Sequence, residues 1–446
     1  MGLAHRMSSL VMMAVLIAVG KAEAQVPRER DAGRIREKID KSVRDEMTRL
    51  WYPRAVEREK GGFHQTFGRD WSALPDTNRF LVYQARMVWT AAEFAEFPGA
   101  PRDAFVAHAL HGVDFLDHVM RDREHGGFHW VLAPNGEVDP MLGDEKHVYG
   151  TSFALHAAAR AYRATKDPKA LRVATDAFDW LETKAHDVEH GGYFEAISRE
   201  GRPLVTYGPN SPPGKRTDRL NVYRGFKSMN SHIHLLEAVA EFHRAAPTSL
   251  TEKRLRELLE VVRDKIAVEP GALNLYLTRD WRAVPAHDSF GHDIETAYLL
   301  VDAAEALGTP DDPKTWKMAG MLVDHALDWG WDDQYGGFYD KGEAFAGQAF
   351  DTKKVWWTQA EGLNALLLMH RHFGKETDRY WQAFLKQWDF IDKYMIDHEH
   401  GGWFAETTKE GKLLGDGRKA QQWKANYHTG RAMMNVVKML DEERDR

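Results

Sequence analysis

One turn recurs along this chain at a fixed interval, and it limits what the chain can fold into. It appears as Gly61-Gly62-Phe63, Gly126-Gly127-Phe128, Gly191-Gly192-Tyr193, Gly336-Gly337-Phe338 and Gly401-Gly402-Trp403, so most steps are 65 residues. Counting back one step from Gly336 lands on Gly271 in Glu269-Pro270-Gly271-Ala272-Leu273, a degenerate copy that leaves a surplus of 15 residues in the preceding step. The surplus matches the Pro/Gly-rich stretch around Gly208-Pro209 and Pro212-Pro213-Gly214, a loop by composition, and 208–225 is taken as an insertion. A period of this length marks units that bury their apolar faces only against one another.

Each unit reads alike. The glycine pair supplies positive φ, and the aromatic after it is free to pack on a neighbour. A strand-like piece such as 128–132 follows, then a turn at Pro134-Asn135-Gly136. Two helices with apolar residues at helical spacing come next, for example 148–162 and 171–183. Helix, helix, turn, six times over, predicts an all-α (α/α)6 barrel with short β-hairpin loops on one rim. An open α-solenoid would need polar capping units at both ends, and the sequence offers none.

Roughly 420 residues follow Ala24, long for one hydrophobic core; a ring of repeats escapes that limit, so 25–446 is expected to be a single catalytic domain. The first 24 residues are expected to leave as a signal peptide, because His5-Arg6 precede an apolar run from Leu10 to Val19 and Ala22-Glu23-Ala24 offers a small-residue cleavage site. The expected location is periplasmic or secreted. The chain has no cysteine, which excludes disulfides and thiolate chemistry. A net charge of -7 without long runs of one sign argues against nucleic acid or an anionic membrane as partner. Trp, Tyr and Phe are abundant, which suits sugar stacking as well as a core. A small carbohydrate is the expected partner, and the chain is expected to act as a monomer.

Polar residues break the apolar pattern at the start of the helix after each turn: Arg86, Tyr149, His234, His292 with Glu295, Trp357 with Glu361, and His428. Each lies 21 to 28 residues beyond its glycine once the insertion is removed. Equivalent units would therefore bring them to one end of the barrel axis. Asn230 and His234, His292 and Glu295, and Trp357 and Glu361 each share a helix face. Three imidazoles in register point to proton transfer tuned near pH 7, with Glu295 and Glu361 either orienting imidazoles or binding hydroxyls. His232, His325 and His370 read as core groups, and His125, His190 and His400 as loop structure. His232 and His234 diverge on a helix and lack a third ligand at metal spacing. No metal and no cofactor is expected. Trp356 and Trp357 cannot both face the axis, so one stacks and the other packs.

The stretch Lys227 to Ala238, with Gly291-His292-Asp293-Ile294-Glu295, Trp356-Trp357-Thr358-Gln359-Ala360-Glu361, and Trp423-Lys424 through Tyr427-His428 to Arg431, resembles the N-acylglucosamine 2-epimerase superfamily, in particular its cellobiose 2-epimerase branch. Gln84-Ala85-Arg86 with Trp89 agrees more loosely. Ser231 and Asn426 depart from the family's usual threonine and proline. The resemblance implies an (α/α)6 barrel and metal-free epimerisation at C2 of a reducing-end sugar. It implies that His292 and His428 remove and return the C2 proton, that His234 and Arg86 stabilise the enediolate, and that Asn230, Tyr149, Glu295, Trp357, Glu361 and Trp423 bind the sugar. A monosaccharide 2-epimerase or aldose-ketose isomerase is the alternative within the class. Outside it stand an (α/α)6 glycoside hydrolase using Glu295 and Glu361, and a non-catalytic sugar-binding toroid.

Overall fold

The 65-residue period becomes one outer and one inner helix per unit. The computed structural model describes residues 31–139, 143–205, 216–343 and 347–444; the expected leader and the Pro/Gly-rich part of the insertion lie outside the described residues. The outer helices are α1 (31–45, running on through Glu46–Trp51 and Tyr52–Ala55), α3 (Arg102–Phe115), α5 (Pro168–Trp180), α7 (Ser249–Val261), α9 (Pro313–Trp329) and α11 (Arg379–Phe390). The inner helices are α2 (Leu81–Ala95), α4 (Val148–Thr165), α6 (Met229–Ala245), α8 (Phe290–Ala306), α10 (Trp356–Phe373) and α12 (His428–Arg444). Consecutive inner helices pack side by side, and α12 packs against α2, closing the ring. This is an (α/α)6 barrel, as the repeat predicts, and a closed ring rather than an open solenoid.

Local chemistry sets the helix ends. Asp167 and Asp312 cap α5 and α9 through their carboxylates, each followed by a proline in the first turn, where its missing N–H costs nothing. Thr248 and Thr251 form a reciprocal capping box on α7. Apart from α9, every outer helix widens into a π-helical turn near its C-terminus, as in Leu116–Met120 after α3 and Ile391–Met395 after α11.

The glycine pair then reverses the chain. Gly127 has φ +69°, and a Cβ there would lie 2.6 Å from the Trp180 ring, so conformation and space both require glycine. The carboxylate of Asp122, four residues before Gly126, accepts from the Glu124 and His125 amides; Asp187, Asp332 and Asp397 do the same in their own turns. A buried lysine two residues before the next inner helix completes three of these turns. Lys146 reaches Asp122 at 2.9 Å, Lys227 reaches Asp187 at 3.1 Å and Lys354 reaches Asp332 at 3.2 Å, each also donating to a turn carbonyl. In the last turn Lys419 reaches Asp397 at 2.7 Å.

Short antiparallel strands stitch neighbouring units at the N-terminal rim of the inner helices: Glu145–His147 with Ala196–Ser198, Phe226–Ser228 with Tyr276–Thr278, and Lys354–Val355 with Glu406–Thr407. The loop beyond each turn also reaches the preceding unit. Arg199 pairs with Asp122, Arg279 with Asp187, and Arg69, from the first unit, with Asp397 in the last at 2.9 Å. The seam that closes the ring is thus built like the others.

The expected histidine assignments largely follow. His232 accepts the Tyr193 amide through Nε2 at 3.1 Å and faces the Ser228 carbonyl through Nδ1 at 2.7 Å, a satisfied core group. His125, His190 and His400 sit in the turns; the His190 and His400 carbonyls accept the indole N–H of Trp281 and Trp71.

Candidate active site

All the residues singled out on the inner helices fall within the first two turns, so they share the N-terminal end of the barrel axis. Asn230, His292, Trp357 and Trp423 are half-buried there, while Arg86, Tyr149, His234, Glu295, Glu361 and His428 lie beneath them.

Each of the three imidazoles is held through Nδ1. His428 Nδ1 lies 2.7 Å from Glu361, His234 Nδ1 lies 2.6 Å from Glu237, and His292 Nδ1 lies 2.7 Å from the Ser289 hydroxyl. An imidazole fixed by one nitrogen presents the other in a set direction, and here that atom is Nε2 in all three. The Trp357 ring stands between two of them, with centroids 4.7 Å from His292 and 5.8 Å from His428. Tyr149 lies edge-on to His234 at 5.2 Å. Arg86 donates to the Tyr149 hydroxyl at 3.2 Å and to the Trp423 carbonyl at 3.0 Å, and its guanidinium lies 4.5 Å over the Phe153 ring. Trp423 packs on Phe80, 4.7 Å between centroids, at the rim. Trp356 is buried, so of the tryptophan pair Trp357 alone faces the axis.

Below the imidazoles Arg431 joins the helices. One guanidinium nitrogen donates to Glu295 at 2.5 Å and Glu361 at 2.6 Å; another donates to Glu237 and the Tyr427 hydroxyl, both at 2.7 Å. Carboxylates bound by charge-assisted hydrogen bonds are fixed in place as well as neutralised. His428 and His234 are therefore linked through Glu361, Arg431 and Glu237. Of the two readings of the glutamates, the geometry gives orientation: Glu361 holds His428, and both Glu295 and Glu361 are buried beneath it. Two carboxylates bound to the same guanidinium nitrogen do not flank a glycosidic bond, which removes the structural basis of the hydrolase reading.

The expectation of imidazoles tuned near pH 7 needs correction. Burial pushes His292 down to about 3. Burial likewise holds His428 well below the ordinary imidazole value, against the opposing pull of Glu295. Both are neutral at pH 7, ready to accept a proton; for His428 the imidazolium formed would lie against Glu361.

Sequence reasoning missed Glu237 and Arg431. Glu237 follows His234 by three residues, a spacing that puts the two on one helix face. Arg431 follows His428 at the same spacing, but an arginine in a first helical turn ordinarily faces solvent, so the spacing did not mark it as part of the site. The described part of the insertion matters as well: Asp218 lies 3.0 Å from His147 Nε2, and His147 Nδ1 caps α4 by accepting the Tyr149 amide. Beyond the Arg431 layer, at the other end of the axis, a cavity of about 910 Å³ is lined by ion-paired residues including Glu93, Arg160, Glu241 and Arg244.

The sequence model of the N-acylglucosamine 2-epimerase (GlcNAc 2-epimerase) family matches residues 61–432, from the first glycine pair into α12. The chain belongs to the N-acylglucosamine 2-epimerase family. A cellobiose 2-epimerase of Bacteroides fragilis is 28% identical over 409 residues, 90% of this chain and 98% of that protein. A D-mannose isomerase of Marinomonas mediterranea is 27% identical, covering 88% and 94%. The structure of cellobiose 2-epimerase from Spirochaeta thermophila superimposes with a TM-score of 0.79 at 29% identity, covering 92% of this chain and 98% of that one. By family this chain is a carbohydrate isomerase of the epimerase type, resembling the cellobiose 2-epimerases. None of the described helices is long and apolar enough to cross a membrane.

Proposed function

We propose that the protein inverts C2 of the reducing-end glucose or mannose unit of a β-1,4-linked disaccharide. One observation carries this: three imidazoles from α6, α8 and α12 are each fixed through Nδ1, which leaves three Nε2 atoms to act around one sugar carbon. When the sugar ring opens, the aldehyde at C1 acidifies the C2 proton. A neutral imidazole takes that proton, the C2–H electron pair moves into the C1–C2 bond, and a cis-enediolate forms. Delivery of a proton to the opposite face of C2 then gives the epimer. His428 is assigned as one base, because Glu361 and Glu295 stabilise its imidazolium, and His292 as its partner. Arg86 and His234 supply positive charge and a hydrogen bond to the enediolate oxygens. Tyr149, Asn230 and Trp357 hold the reacting ring, and Trp423 at the rim stacks the second. Export to the periplasm or beyond is part of the proposal.

The D-mannose isomerase relative supports a second reading, in which the proton returns to C1 and a ketose forms. Proton NMR in deuterium oxide with cellobiose and, separately, mannose distinguishes the two. The epimerase reading expects solvent deuterium at C2 of the reducing unit together with the mannose-ended epimer. Fructose from mannose with no change to cellobiose would establish the alternative, and binding without exchange of either sugar would sink both.

A further inference from the structure

The fourth unit breaks the electrostatic pattern of its neighbours. In four of the other five units the position two residues before the inner helix carries a cation, Arg79, Lys146, Lys227 and Lys354; in the last it is Asn426, and Lys419 supplies the cation instead. In the fourth unit it carries Asp288, and Ala267 stands where the other turns have Asp122, Asp187, Asp332 and Asp397, four residues ahead of the glycine. The helical position occupied by Gln84 in α2, His232 in α6 and Gln359 in α10, whose side chains bind the backbone just after the glycine pair, is Asp293 in α8, facing the Leu273 amide. His325, reaching in from α9, completes the group. A lysine–aspartate pair has thus been replaced by two carboxyl groups and an imidazole.

All three are inaccessible to solvent, with Asp288 and Asp293 0% exposed and His325 3%. His325 Nδ1 lies 3.5 Å from Asp288 Oδ2 and 3.5 Å from Asp293 Oδ2. Asp288 Oδ1 accepts the Ser289 amide and the Asp288 and Asp293 carboxyls share a hydrogen bond, but both ring nitrogens of His325 make none. Buried polar atoms without partners are rare and each calls for an explanation. Two other groups among the described residues bring three potential ligand atoms equally close, and both are already satisfied. Asp218 binds His147 while the serines at 228 and 231 bind Glu195, and Arg431 binds Glu295 and Glu361.

We propose that Asp288, Asp293 and His325 form a binding site for a divalent transition-metal cation of the zinc or manganese class, standing in for the ammonium that the lysines provide in other units. Oxygen and imidazole donors suit such cations. In a four-coordinate site with metal–ligand lengths of about 2.0–2.2 Å, adjacent donors stand about 3.3–3.6 Å apart, and both distances to Nδ1 fall there. A fourth position is left for water. The site stabilises the junction of α8 and α9 and takes no part in the proton transfers proposed at His292.

The full-length protein, stripped with chelator and titrated with zinc and with manganese in a calorimeter, tests this. One cation per chain and a melting temperature several degrees higher are expected. His325→Gln and Asp288→Asn should each lower the affinity at least tenfold. No binding of either cation, or binding unchanged in both variants, would overturn the proposal. Should neither variant fold, X-ray absorption of the zinc-loaded wild-type protein decides: a shell of one imidazole nitrogen with oxygens supports the site, and several imidazoles or sulfur overturn it.

Discussion

Arg431 satisfies three buried carboxylates and a phenol at once, so its loss would leave charge with no solvent to receive it. Arg431→Met should destabilise the fold by about 3–5 kcal/mol in denaturant titration, the cost of breaking a buried pair from one side. Glu361→Gln keeps an acceptor for His428 Nδ1 but removes the charge that stabilises its imidazolium, so kcat for C2 exchange should fall by about 10²-fold with KM little changed. His428→Ala should remove exchange altogether, whereas a hydrolase would tolerate that change. Because both His292 and His428 titrate well below 6.5, the acid limb of kcat/KM should lie well below the pH of a free imidazole; a limb near 6.5 would contradict this environment. His234, His292 and His428 were legible in the sequence because each interrupts an apolar pattern at a helix start. Arg431 was not, since its role depends on glutamates from three other helices that only closure of the ring brings together.

At the level of the element, the link between a turn and the helix behind it recurs with different chemistry. Gln84 and Gln359 bind both the N–H and the C=O of Phe63 and Phe338; His232 performs the N–H half of that task at Tyr193. Burial lowers His232 to about 3. Between that value and its ordinary 6.5 the unfolded chain binds a proton that the fold refuses, so stability falls as pH drops below 6.5. His232→Gln should leave stability at pH 7 within about 1 kcal/mol and flatten the decline below pH 6.5 by up to about 1.4 kcal/mol per pH unit, read as melting temperature against pH. The glycine spacing revealed these turns because two adjacent residues with positive φ tolerate no substitute. The π-helical ends of the outer helices left no such trace; they follow from how each outer helix hands the chain to its turn, which periodicity does not encode.

For the molecule as a whole, the ring was legible because the 65-residue period held once the 15-residue surplus was assigned to an insertion, while no unit carried a polar cap. The metal-like cluster was not, because Asp288 and Asp293 meet His325 from the other side of a hairpin. The seam between the last unit and the first is the decisive joint. Arg69→Ala removes its pair with Asp397 just as Arg199→Ala removes the pair with Asp122, and the two should lower stability to a similar extent in matched denaturant titrations. A much smaller effect at Arg69 would mean that the ring opens there. That joint also governs how the molecule comes apart. In a linear stack the outermost repeat can peel away and expose a single fresh face, so melting begins at an end and spreads. A closed circuit has no outermost repeat: releasing any hairpin uncovers two faces at once, which ties the fate of each sixth of the barrel to all the others and should compress unfolding into one cooperative step.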